Sequence, residues 1–239
     1  MGKQKGLYVH GKDGNTLYYS WKGIPCERTI PANVYQSPVV VAHKNANGLS
    51  TTMGASFRKL LDDVIACPKS MGMQTAVRQA LLRWLKAGPV PSLPPADIPF
   101  ISGLNFNEVV ALKDCLHMPL TVSIAGPGTL SVMVPQLIPA AAFTAPPQTA
   151  YIQLKFVAAC CDILTGEALQ KNACNVVMPY HAENIPPQTI TLSLQMPAGS
   201  LSIIVAAIEY FTNTPGTVSL ISSLCYRPAQ VIGGVVTPS

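Results

Sequence analysis

Residues 151–161 read Tyr151-Ile152-Gln153-Leu154-Lys155-Phe156-Val157-Ala158-Ala159-Cys160-Cys161, and this run decides the fold class. Its first half alternates. Ile152, Leu154 and Phe156 are apolar, while Tyr151, Gln153 and Lys155 carry polar atoms. Successive side chains of a strand point to opposite faces, so this is a strand with its even positions turned to a core. From Val157 to Cys161 the alternation fails and both faces are apolar. Leu201 to Ile208 shows the same pattern, with only Ser202 polar. A strand apolar on both faces is covered on both faces. A two-sheet sandwich covers one of them, so the second cover must come from a helical layer of the same chain or from another copy.

Working outward, Leu120–Ala125, Thr129–Val134, Ala150–Ile163, Ala173–Met178, Thr189–Gln195, Ser200–Thr212 and Val218–Tyr226 read as seven short strands with Gly, Pro or Asn between them. That spacing predicts an immunoglobulin-like or fibronectin-like β-sandwich over residues 119–239. The glycine-rich Ala125–Leu130 is a hairpin turn on this reading, because no helix follows it to cradle a phosphate.

Upstream the hydrophobic period changes. Met53, Phe57, Leu60, Leu61, Val64 and Ile65 fall at helical spacing, and so do Met73, Val77, Leu81 and Trp84. Ser50 or Thr51 is the expected cap of the first helix and Ser70 of the second, with Gly88-Pro89 as the stop. Residues 49–88 therefore form a helical hairpin, and 89–118, opening on GPVPSLPPADIP, a stiff proline-rich linker. Residues 1–48 hold a β-hairpin arm. Leu7 to His10 runs extended, Gly11 to Asn15 turns, Thr16 to Trp21 is a second strand, and Gly23 allows a return through Ile30. The expected class is mainly β with a helical hairpin (α+β).

Composition narrows the function. Charged residues make up 11% of the chain, against about 25% in an average soluble domain. Residues 119–239 hold seven: Lys155, Asp162, Glu167, Lys171, Glu183, Glu209 and Arg227. So little charge points to a domain that lives against partners. Charge is also divided along the chain: residues 1–90 carry 12 basic and 4 acidic side chains, residues 91–239 carry 4 and 7. The plain reading is a solvated basic helical surface; the sharper one is head-to-tail contact between copies, which builds rings or filaments. Nucleic acid is the weaker partner expectation, because the basic residues form no run. No apolar run is long enough to span a bilayer, and the N-terminus has no secretory signal, so cytoplasmic synthesis and free thiols are expected.

The chain holds no HExxH, GxSxG, Walker loop or paired CxxC. Cys160, Cys161, Cys174 and His181 make a poor zinc set, since neighbours on a strand diverge. His10, His43 and His117 sit in no catalytic pattern, and Asp62-Asp63 is a solvated helix face. No enzyme activity, cofactor or metal is expected. Tyr18, Tyr19 and Trp21 beside Lys22 either stack on a sugar or base or anchor a small hairpin core. The apolar Ala229–Val236 either completes its own sheet or adds to the edge of a neighbouring copy. The candidate interface is therefore Tyr18 and Trp21 at one end and Val231, Ile232 and Val235 at the other.

Gly11, Gly14, Trp21, Lys22, Gly23, Arg28 and Pro31 together resemble the opening of an uncharacterised Bacteroidetes-type family, whose members begin with a glycine-rich hairpin and a Trp-Lys-Gly turn followed by Arg and Pro. The resemblance covers about 30 residues. It ends at Pro31, where Ala32-Asn33-Val34-Tyr35-Gln36 replaces the family's Asn-Pro-rich stretch. It implies a shared layout and no activity. The function expected from the chain as a whole is a structural or assembly protein, a filament or phage-like particle subunit that packs against copies of itself. The alternative is a binding module for a glycan or protein ligand.

Overall fold

The computed structural model describes residues 3–5, 8–30, 38–65, 70–88, 92–96, 98–126, 128–214 and 217–237. The chain divides into two units, Met1–Lys44 and Asn45–Ser239. The structure is mainly β, with antiparallel sheets and a helical pair.

The first unit is a meander of β1 (Lys3–Lys5), β2 (Tyr8–Asp13), β3 (Thr16–Trp21) and β4 (Ile24–Thr29), hydrogen-bonded in that order. The hairpin read from the sequence is there, with a strand added in front. Gly11 lies inside β2, not in the turn, which shrinks to Gly14-Asn15 between the paired Asp13 and Thr16. The β3–β4 turn is Lys22-Gly23, with φ of 51° and 82°. Two consecutive positive φ angles make the tight turn that matches strand twist, and so pair Trp21 with Ile24.

The second unit follows as α1 (Pro38–Leu60, which begins before the boundary), α2 (Met71–Ala87), β5 (Ser92–Ala96), α3 (Leu112–Cys115), β6 (Thr121–Gly126), β7 (Thr129–Val134), α4 (Pro139–Ala142), β8 (Tyr151–Asp162), β9 (Ala168–Pro179), β10 (Gln188–Ser193), β11 (Ser200–Thr214), β12 (Thr217–Leu220) and β13 (Ala229–Val236). The central sheet runs β5-β13-β11-β8-β9, with β12 paired to the far end of β11. A second sheet runs β10-β7-β6.

These elements stack in three layers. Val157, Ala159 and Cys161 of β8 and Leu201, Ile203, Val205 and Ala207 of β11 pack with Met53, Phe57, Met73, Val77, Leu81 and Trp84 of the helices. On the opposite face, Ile152, Leu154, Phe156 and Ala158, with Ile204, Ala206 and Ile208, pack with Leu130, Val132, Ile190 and Leu192 of the second sheet. The chain's own helices thus supply the second cover that the two-faced strands demanded. Phe156 is 0% exposed at the centre of the sheet-to-sheet core. Phe156→Ala is expected to destabilise by about 3–5 kcal/mol, read as a lowered urea midpoint. An unchanged midpoint would place Phe156 outside the load of that core.

Several boundaries differ from the sequence reading; the strand read as Ala173–Met178, for one, runs Ala168–Pro179. Helix α1 begins at Pro38, a residue suited to the first helical position. Ser50 and Thr51 are mid-helix, their hydroxyls donating to the Asn47 carbonyl at 3.0 and 2.9 Å. A hydroxyl that satisfies its own helix in this way looks like a cap in sequence. Ser70 does cap α2, accepting from the Met73 N–H at 3.3 Å.

The segment read as a linker is part of the body. Strand β5 pairs with β13, and Ile98, Ile101 and Phe106 are buried in the helix-side core. Proline keeps a segment extended, and an extended segment also serves as an edge strand.

Val218–Tyr226 is not one strand. Strand β12 ends at Leu220, and Leu224–Tyr226 is a 3₁₀ turn. The strand that completes the central sheet is β13. It lies between β11 and β5, so it takes the own-sheet alternative. Its glycines let the chain pass closely: a Cβ on Gly234 would stand 2.5 Å from the Ser202 carbonyl oxygen.

Candidate functional site

The pairing register of the first unit sorts its side chains by face. Leu17, Tyr19 and Trp21 are odd positions of β3 and share one face. Their partners are Lys12 on β2 and Arg28, Cys26 and Ile24 on β4. The other face takes Thr16, Tyr18 and Ser20, paired with Asp13, Gly11, Glu27, Thr29 and Pro25. Tyr18 and Trp21, named together from sequence, therefore stand on opposite faces. Tyr19, read beside Trp21 in the sequence, does belong with it, and so do Ile24, Lys12 and Arg28, which were missed. Parity along β3 and the two-residue turn at Lys22-Gly23 are the signals that would have found them.

The face is open. Trp21 and Ile24 are each 63% exposed and Tyr19 36%. None of the residues in 10–30 is buried. The charges are sorted as well: Lys12 and Arg28 lie on the aromatic face, Asp13 and Glu27 on the other.

The second group of sequence candidates has a different fate. Val231 and Val235 are each 1% exposed, Val231 in the helix-side core and Val235 in the sheet-to-sheet core. Ile232 is half-buried and lines a concavity of about 320 Å³ with Lys113, Leu116, Met118 and Gln230. The main-chain edge of β13 that faces away from β11 is occupied too. Gly103 and Phe106 donate their N–H groups to the Val231 and Ala229 carbonyls, and Val231 donates to Leu104. No edge remains there for strand addition.

The other polar centre is an ion triad. The Glu209 carboxylate accepts from Lys155 Nζ at 2.8 Å and from Arg227 Nη2 at 2.9 Å, through different oxygens. Lys155 and Glu209 reach each other from adjacent strands, and Arg227 comes in from the 3₁₀ turn. Asn107 holds that turn by donating Nδ2 to the Leu224 and Arg227 carbonyls at 2.7 and 2.9 Å. Both oxygens of Glu209 are engaged, so the carboxylate ties β8, β11 and the 3₁₀ turn together.

Cys160 and Cys161 are buried neighbours, and Cys161 faces the helices. Burial pushes the Cys161 thiol well above its ordinary range, with Cys160 and Asp162 adding to it. Burial also raises Cys115, against an opposing hydrogen bond with Tyr210. Among the described residues no group of three or more His, Cys, Asp or Glu is placed to hold a metal ion. Thiolate is the reactive form. In a native thiol titration the exposed Cys225 is expected to react first among the thiols of the described residues. Cys115, Cys160 and Cys161 are expected to react only with unfolding. Fast labelling of all three in the folded chain would contradict their burial.

Comparison with protein-family models, curated proteins and solved structures finds no match.

Proposed function

We propose that this protein works by docking and not by catalysis: a structural subunit of a larger assembly, of filament or phage-like particle type. The Asn45–Ser239 unit is its body and the aromatic face of the N-terminal sheet is its contact surface. One observation carries the reading. A sheet becomes stable by burying a face, and this one presents Trp21 and Ile24 at 63% exposure with no buried side chain in residues 10–30. Exposed aromatic side chains grouped on one face are what a contact surface uses.

Residues 119–239 support the same reading. Of their seven charges, Lys155, Glu209 and Arg227 are drawn into one part-buried ion triad, which leaves Asp162, Glu167, Lys171 and Glu183 outside it.

The strand order supports an immunoglobulin-like body. In that fold strands A, B and E share one sheet and C, F and G the other. Here the first, second and fifth sandwich strands (β6, β7, β10) share one sheet and β8, β11 and β13 the other, while the fourth, β9, departs from the constant-type order by lying beside β8 in the central sheet.

The contact is through the face and not an edge. Lys3 and Lys5 are in β1, and Pro25, Glu27 and Arg28 in β4. Lysine, charge and proline on the outer strands are the usual guards against edge pairing.

Iodide quenching of tryptophan fluorescence, combined with light scattering on the eluting full chain, tests this. Trp84 is 3% exposed and Trp21 63%, so only one of the two is open to quencher. The expected result is a quenchable Trp21 in the monomer that becomes shielded as the species grows with concentration or meets its partner. Trp21→Ser should abolish that contact, whatever its partner, with the circular dichroism spectrum unchanged. A monomer with Trp21 already shielded would refute the reading.

A further inference from the structure

We propose that the occupant of the Trp21 face is single-stranded nucleic acid, with bases stacked on Trp21 and Tyr19 and phosphates met by Lys12, Arg28 and Lys22. This rests on the docking reading above and names the partner. Three features of the sheet carry it.

The first is the aromatic pair. Tyr19 and Trp21 are two apart on β3 and exposed on one face. Positions i and i+2 of a strand are about 7 Å apart, which leaves room for a separate base on each ring. A four-stranded sheet with exposed aromatic side chains is a platform that proteins use for unpaired bases.

The second is the placement of charge. The pairs Lys12↔Leu17 and Leu17↔Arg28 put two cations in one row across β2, β3 and β4, beside the row of Tyr19. Lys22 follows Trp21 in the turn at the opposite end. Cations thus bracket the aromatic stretch, as a phosphate backbone passing over both rings requires.

The third is the removal of acid. Glu27 and Asp13 are the acidic residues of β2–β4, and both lie on the other face. Random placement has no reason to separate the signs. A surface for a polyanion does.

The other occupants fit less well. A second copy docked face to face would bring one patch with cations and no acid of β2–β4 against another of the same kind, and like charges repel. A neutral glycan uses the rings and leaves three cations without a role.

The test is fluorescence anisotropy of the full chain with a labelled oligothymidine and an oligouridine of equal length, with a DNA duplex and a neutral oligosaccharide as comparison arms. The single strands are expected to bind and to quench Trp21, more tightly than the duplex. Three phosphate contacts predict a slope of log affinity against log salt of about −2. Loss of one stacked base, as in Trp21→Ala, should weaken binding by about 5- to 150-fold. Trp21→Phe should restore most of it. The double variant Lys12→Gln, Arg28→Gln should flatten the slope to about −0.7. Tyr18→Ala, on the opposite face, should leave affinity and slope unchanged.

The proposal is overturned if no single strand binds at low salt. It is also overturned if the Trp21 and Lys12/Arg28 variants, shown folded by circular dichroism, bind like the parent. In either case a Trp21 that iodide still reaches in the monomer leaves the docking reading standing. A Trp21 shielded in the lone monomer removes both.

Discussion

A chain ending at Arg227 is expected to lose the cooperative fold of the Asn45–Ser239 unit, with no thermal transition left in the near-ultraviolet signal. The truncation removes β13, which lies between two strands of the central sheet. Val231, Val235 and Val236 are 1%, 1% and 3% exposed. Burying a valine contributes roughly 1.5–3 kcal/mol. Three of them sum to roughly 5–9 kcal/mol, comparable to the about 5–15 kcal/mol that holds a whole domain. The backbone of Gly103 to Phe106 would also lose its partners on Ala229 and Val231. A truncated chain that melts like the full one, changed only in oligomeric state, would make β13 an exchangeable arm and overturn its assignment to the core.

Glu209→Ala is expected to cost about 3–5 kcal/mol, the usual effect of removing one member of a buried ion group. The Glu209 side chain is 8% exposed, with Lys155 and Arg227 at 19% and 20%. Without the carboxylate, two cations face each other with little water, and Arg227 already has a buried Nε without a partner. The loss should be read as a lowered urea midpoint at unchanged slope. Replacing all three together by apolar residues of similar length is expected to recover most of it, because no charge is then left buried. If Glu209→Ala alone leaves the midpoint within error, the triad is a surface feature. If the triple replacement is as unstable as the single one, the triad contributes through its geometry and not through its charges.

These outcomes also separate the two readings of the low charge content. The sparse charge of residues 119–239 pointed to partners, and the two-faced strands sharpened that expectation. Half of that reasoning is met inside the chain: α1 and α2 cover one face of the central sheet and β6, β7 and β10 the other. The exposed aromatic face of the N-terminal sheet is outside that cover.

Period and parity in the sequence were enough to show that 151–161 and 201–208 are strands covered on both faces, that a helical pair precedes the sheets with Ser70 capping its second helix, and that a hairpin opens the chain. Each of these depends on neighbours a few residues apart, where geometry is set by the backbone alone. Tertiary structure decided what covers what. The apolar run Ala229–Val236 is the same string of residues whether it completes its own sheet or a neighbour's, because a burial pattern records that a side chain is covered and not by which segment. The prolines of 89–118 likewise specify extension and not whether β5 has a partner. Parity along β3 already places Tyr18 and Trp21 on opposite faces, and strand register is what joined Trp21 to Ile24 and Leu17 to Lys12 and Arg28. Lys155, Glu209 and Arg227 are far apart in sequence, so no spacing rule could join them. Only the stacking of β8 beside β11, and the turn that Asn107 ties down, brings their charges within 3 Å.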